Sequence, residues 1–168
     1  MDAFHEEVVT KQRRGVENFM YLLANVMMVV FGLFAMIQLS SLSMMFAESF
    51  SAHTIVSIVM LLVTGGCAVL LFLRRDRIKT EYEYTFTNGQ LDFAQVFNNK
   101  KRKSLGTMNV RNVEACGLVS SGSFNRYITM QGVKRTNWFL NREAELFYFY
   151  FTKDSQKRII IIEPTETL

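Results

Sequence analysis

The chain has 168 residues, of which 49% are hydrophobic and 20% charged, and its net charge is +4. Its apolar and aromatic content excludes disorder, and two cysteines, Cys67 and Cys116, are too few for a disulfide scaffold. Residues 18–47 carry no Asp, Glu, Lys or Arg, nor do residues 49–73, which excludes a single water-soluble globule.

Residues 1–17 come first. Phe4 and Val8 stand at i and i+4, ahead of Lys11, Arg13 and Arg14, a pattern that suits a short amphipathic helix in the membrane interface. Asp2, Glu6, Glu7 and Glu17 outweigh the three cations, so the segment is a poor membrane binder and reads as a cytoplasmic continuation of the span that follows.

The first span is predicted at residues 18–39, with an apolar centre at 19–37. That centre makes about 28 Å of helix, against a hydrocarbon thickness of about 30 Å. The second span is predicted at 53–73. Between them lies a short extracytoplasmic loop, 40–52. Helices satisfy every backbone polar group internally, as lipid requires. Two buried helices of a soluble protein are the competing reading, but the remaining residues are too few to enclose them. A cleaved signal peptide is another, and the first apolar run is too long for it. Lys11, Arg13 and Arg14 precede span one and Arg74, Arg75, Arg77 and Lys79 follow span two, while residues 38–53 have no Lys or Arg. The positive-inside rule then puts both termini in the cytoplasm of a multi-pass cell-membrane protein.

Small residues at a spacing of eight, Ala24 with Gly32 and Ser57 with Gly65, mark the stripe where the helices meet. Asn25 needs a partner in lipid: Ser57, Thr64 or a second copy of itself. The contact is read first as a hairpin contact, with an oligomer contact or a small polar pathway as the alternatives.

From residue 80 the period becomes two. Tyr82, Tyr84 and Phe86 share one face, and Glu81, Glu83, Thr85 and Thr87 the other. Asn88-Gly89 is the preferred type I′ hairpin dipeptide. A two-residue loop pairs Thr87 with Gln90, Phe86 with Leu91 and Tyr84 with Phe93. A turn is expected at 98–101, strands at 102–110 and 113–119, a loop at 120–125 and a weak strand at 126–133. Residues 136–142 are ambiguous, with Trp138 buried at their tip. Residues 144–152 read as a central strand, and 158–163 as another. Six or seven short antiparallel strands in residues 74–168 imply an all-β sandwich or partly open barrel. Pro164 follows the last strand and could open a helix.

Residues 81–92 (EYEYTFTNGQLD), 99–105 (NKKRKSL) and 158–164 (RIIIIEP), together with the N-terminal MDAFHEEVV and the two spans, resemble a two-span membrane protein family of Clostridia and their relatives. The resemblance covers most of the chain. It implies a cytoplasmic part similar to bacterial pleckstrin-homology-like (PH-like) domains, a seven-stranded bent sheet closed by a C-terminal helix. That capping helix is expected to be absent or truncated here. The resemblance carries no activity with it.

Residues 74–168 hold sixteen Lys and Arg against ten Asp and Glu, a net of +6. The first cluster, Arg74, Arg75, Arg77 and Lys79, is explained by topology. The second is the run Lys100, Lys101, Arg102 and Lys103, which reads either as a contact for anionic lipid headgroups or as charge guarding a strand edge. It is too short and too poor in neighbouring exposed aromatics for nucleic acid. His5 and His53 lie on opposite sides of the predicted membrane, and neither belongs to a metal cluster. Cys67 and Cys116 read as packed small residues. Gly117, Gly122 and Gly132 form no phosphate loop, and Glu81, Glu83 and Asp92 read as cross-strand partners. No catalytic set, cofactor or metal is therefore expected. The sequence points to a membrane-anchored, non-enzymatic module that binds a protein partner, itself or anionic lipid. The alternative is a small transport or channel accessory acting through the helix pair.

Overall fold

The computed structural model describes residues 4–48 and 52–164. The chain folds as two compact units: one joins the residues up to Arg13 to those from Thr80 onward, and the other is Arg14–Lys79.

The second unit is a helical pair. Helix α1 is Gly15–Glu48 and α2 is Ala52–Arg74, continued by one turn of 3-10 helix, Arg75–Ile78. Both are long and apolar enough to cross a membrane, and only 6% of each apolar window is buried. A core helix of a soluble protein would be mostly covered. α1 therefore continues well into the stretch expected as a loop, of which residues 49–51 lie outside the described residues. The physical reason is local. Residues 33–48 contain neither Gly nor Pro, and the hydroxyls of Ser40 and Ser41 donate back to the carbonyls of Ile37 and Gln38 at 3.0 and 2.9 Å. The serines thus satisfy their polar groups without leaving the helix.

The first unit consists of two four-stranded sheets. Sheet one has the order β1-β2-β3-β4, all antiparallel, with β1 Phe4–Val9, β2 Thr80–Thr87, β3 Gln90–Phe97 and β4 Lys101–Asn109. The β2–β3 hairpin has the expected register, with Thr87 opposite Gln90 and Tyr84 opposite Phe93. Asn88 and Gly89 take φ of 49° and 87°, as a type I′ turn requires.

β1 corrects the reading of residues 1–17 as a helical continuation. Phe4 pairs with Thr87 and Val9 with Tyr82, so β1 pairs with β2 along its own full length. A spacing of four is even, so Phe4 and Val8 share a face of a strand as readily as a face of a helix. They are the exposed pair; Val9, on the other face, is the buried one. The covalent neighbour of span one is thus the spatial neighbour of the strand that follows span two.

Sheet two has the order β5-β7-β8-β6, with β5 Val113–Leu118, β6 Lys134–Trp138, β7 Phe147–Lys153 and β8 Gln156–Ile162. Two details depart from an all-antiparallel sandwich of six or seven strands. The unit has eight described strands, and β6 runs parallel to β8. A short helix, α3 Gly122–Ile128, occupies the stretch expected as loop and weak strand. Its Phe124, Tyr127 and Ile128 have helical spacing and pack on Tyr148, Tyr150, Ile159 and Ile161. The opposite face of β7 and β8 places Phe151, Ile160 and Ile162 against Val9, Tyr84, Leu91, Phe93 and Met108 of sheet one. β7 and β8 are buried on both faces, which is why FYFYF and IIII show no polar alternation. The second face is covered by α3, between β5 and β6. No helix follows β8 among the described residues; residues 165–168 lie outside them.

Candidate functional site

The core of the β unit holds a polar node around Tyr84. Tyr84 is fully buried, and its ring meets Phe93 edge-on at 5.9 Å. Its hydroxyl donates to the carbonyl of Trp138 and accepts from the amide of Glu163 at 3.4 Å. The Glu163 carboxylate, itself buried, accepts from the amides of Leu140 and Asn141 at 3.1 and 2.9 Å and from Asn141 Nδ2 at 2.6 Å. Asn141 Nδ2 also donates to the carbonyl of Thr10 at 3.0 Å, and Asn141 Oδ1 accepts from the amide of Gln12 at 2.9 Å. Charge-assisted bonds to backbone amides are the strong ones. This node ties the exit of β1 and the β6–β7 connection to the end of β8. No pattern in the sequence flags it, since Asn141 and Glu163 belong to different segments.

The run Lys100, Lys101, Arg102 and Lys103 lies at and beyond a turn. Asn98 and Asn99 take φ of 50° and 52°, and the Lys100 amide donates to the Phe97 carbonyl at 3.0 Å. The last three residues belong to β4, the edge strand of sheet one, and all four are exposed. Strand alternation divides them. Arg102 Nε reaches Glu83 Oε2 at 2.8 Å across the sheet, while Lys101 and Lys103 project from the other face of β4.

Of the residues flanking the spans, Lys11 and Arg13 follow β1 and Arg14 precedes α1. Arg74 ends α2, and Arg75 and Arg77 lie in the 3-10 turn. Arg75 supplies the partner for Asn25 that the sequence left open: its Nη1 donates to Asn25 Oδ1 at 2.5 Å, and its guanidinium lies 5.1 Å from the centre of the Phe72 ring. Asn25 Nδ2 donates to the Tyr21 carbonyl at 2.7 Å. Neither Ser57 nor Thr64 meets Asn25. Ser57 donates to the His53 carbonyl within its own helix at 3.0 Å, and Thr64 to Gln38 Oε1 at 3.2 Å.

Ala24, Asn25, Gly32, Ser57 and Gly65 lie among the less exposed positions of their helices. The two glycines do not serve a close backbone approach, because a Cβ added at Gly32 or Gly65 would meet nothing within 4 Å. Phe31 and Leu71 line an apolar cleft together with Ala24 and Cys67.

Cys116 is exposed on the edge strand β5, in contrast to its reading as a packed residue; Cys67 is half-buried. Its strand has no neighbour on that side to cover it. Among the described residues, no three His, Cys, Asp or Glu side chains converge as a metal site. Glu83 pairs with Arg102, and Asp92 accepts from the Thr107 hydroxyl, so these carboxylates serve cross-strand contacts.

A family model described as "Bacterial PH-like domain (DUF6106)" matches residues 1–168. No curated protein and no solved structure matches the chain.

Proposed function

The chain belongs to this bacterial PH-like family, and from that premise we propose that it is a membrane-anchored, non-enzymatic interaction module whose β unit works at the cytoplasmic face, binding a protein partner, a second copy of itself or an anionic lipid surface. One observation carries the reading. β1 precedes the helical pair in sequence and β2 follows it, yet all six residues of β1 pair with β2. Strands in one sheet share one side of a membrane, which supports two helices that cross as a hairpin and return. Seven flanking cations, Lys11, Arg13, Arg14, Arg74, Arg75, Arg77 and Lys79, support the cytoplasm as that side by the positive-inside rule.

Cys116 is a built-in probe of sidedness, being exposed on the β unit. In cells carrying Cys67→Ala, a membrane-impermeant maleimide should label Cys116 only after permeabilisation. Labelling of intact cells at the same rate would put the β unit outside and end the proposal.

Lys100, Lys101 and Lys103 are the lipid-facing cations of this reading, with Arg102 held by Glu83. Each charge near an anionic surface is worth about 1 kcal/mol. In nanodiscs, exchanging phosphatidylcholine for phosphatidylglycerol should slow tryptic cleavage at this run about tenfold relative to cleavage at Lys157. Equal slowing at both places would remove the lipid contact and leave the run as a guard on the β4 edge.

A further inference from the structure

The inner face of sheet two changes character along its strands. At one end it is aliphatic and aromatic: Ile162, Phe147 and Trp138 stand in register. At the other end the inward positions are Arg158 on β8, Lys134 opposite it on β6 and Lys153 on β7. Inward positions of a sandwich are expected to be apolar. Here three cations replace them, beside a cavity of about 290 Å³ between these strands and β3–β4. Its apolar wall includes Phe93, Trp138 and Phe151, the first two with ring centres 4.6 Å apart. Gly106, at φ 150° opposite Phe93, leaves open space where a side chain would project.

The charges are poorly compensated. Arg158 meets Asp154 only at 3.9 Å, and its buried Nε has no acceptor. The side chains of Lys134 and Lys153 have no ion-pair or hydrogen-bond partner among the described residues. A buried donor without an acceptor is costly, and three cations gathered around one cavity repel one another. An anion seated among them would relieve both costs. The volume is at the small end of ligand sites, which run from about 300 to 1,000 Å³, and the mix of apolar wall and a few convergent polar groups is what such sites share.

We propose that this cavity binds a small organic anion, its apolar body on Phe93, Trp138 and Phe151 and its anionic group held by Lys134, Lys153 and Arg158. After the Asp154 pair is set against the three cations, a phosphoryl dianion matches the remaining charge. The site does not depend on the sidedness or lipid contact proposed above. Its ligand could come from solution or from the phosphate of a lipid, and the two are separable.

Trp138 is the chain's single tryptophan and lines the cavity, so its fluorescence reports occupancy directly. The full chain in dodecyl maltoside micelles is titrated with hexyl phosphate, with hexanol and with inorganic phosphate, and separately with phosphatidic acid doped into the micelles. Hexyl phosphate or phosphatidic acid should shift the emission saturably; the one that acts at lower concentration identifies the source. Hexanol and inorganic phosphate, each lacking half of the recognised chemistry, should bind at least tenfold more weakly. Lys134→Ser with Lys153→Ser should weaken binding at least tenfold, while the charge-matched pair Lys157→Ser with Arg126→Ser should not. If the first pair melts early, Lys134→Gln alone, at an exposed position, asks the same question with a loss of a few-fold. No saturable shift with either phosphate, equal binding of hexanol, or equal loss in both variant pairs would overturn the site.

Discussion

Tyr84→Ala should cost the β unit about 3–5 kcal/mol, the range for truncating a large buried aromatic. Tyr84→Phe should cost about 1–3 kcal/mol, because it keeps the ring against Phe93 but leaves the Trp138 carbonyl and the Glu163 amide without the hydroxyl. Trp138 again supplies the measurement: its fluorescence follows urea unfolding of the β unit alone, since the helices have no tryptophan. The difference between the two variants separates packing from the polar node. Equal losses would mean that the ring packing adds nothing to the hydroxyl, and an unchanged midpoint in Tyr84→Phe would mean that the hydroxyl contributes nothing. Burial, reinforced by the nearby carboxylates of Glu163 and Glu7, raises the pKa of Tyr84 well above the ordinary tyrosine value. Below about pH 10 the tyrosine is neutral in both the folded and unfolded chain, so pH has no hold on it. Above that, only the unfolded chain releases the proton, and stability falls as pH rises. The parent should therefore lose stability above pH 10 more steeply than Tyr84→Phe does. Tyr82, also shifted upward by burial, leaves a residual slope in both.

What the sequence disclosed, and what it withheld, follow from the distance over which each signal acts. The β2–β3 hairpin was readable to the residue, because alternation and Asn88-Gly89 are contained within a dozen positions and agree with one another. The two spans were readable because lipid imposes one requirement on every residue of a long stretch. The family resemblance gave the β-domain class for a similar reason, since it rested on whole strands. β1 escaped because its partner, β2, lies beyond both helices, and because six residues alternating Phe-His-Glu-Glu-Val-Val carry too little apolar contrast to reveal an inward face. α3 escaped because a helix of two turns shows its period only twice.

The side-chain contacts were harder still. Arg75 was read for its charge and proved also to be the partner of Asn25, fifty positions away. The separation hides the pair in sequence, although Asn25 was legible as a residue in need of one. Lys134, Lys153 and Arg158 are unremarkable among nineteen Lys and Arg. They become a group only when β6 is placed parallel to β8, a long-range decision that residues 136–142 did not reveal. The candidate sites are thus less legible than the fold: a sheet face is written locally, whereas a site is assembled by register between strands.

Deleting residues 4–9 should destabilise the β unit and also leave it open to association. The deletion removes buried Val9, worth about 1.5–3 kcal/mol. It also removes the six pairings with β2, several of which contribute about 0.2–1 kcal/mol each. A loss of ~3 kcal/mol or more is expected from these terms. The bared β2 becomes an open edge that invites pairing between chains. The variant should show a lowered urea midpoint by Trp138 fluorescence and concentration-dependent aggregation. Adding a peptide of residues 1–13 should restore the midpoint, because that segment also carries the Thr10 and Gln12 contacts to Asn141. An unchanged midpoint would show that sheet one is complete with three strands. The consequence reaches beyond stability. In the topology proposed above, β1 is made before the spans and β2 after them, so the two strands meet only once the chain has come back to the side where β1 waits. A chain with only one helix inserted would strand β1 and β2 on opposite sides and leave β2 bare. In that topology the strand pairing couples a folded β unit to the return of the chain across the membrane, and the deletion variant, freed of that coupling, should be the one whose remaining strands collapse equally whether or not the hairpin has formed.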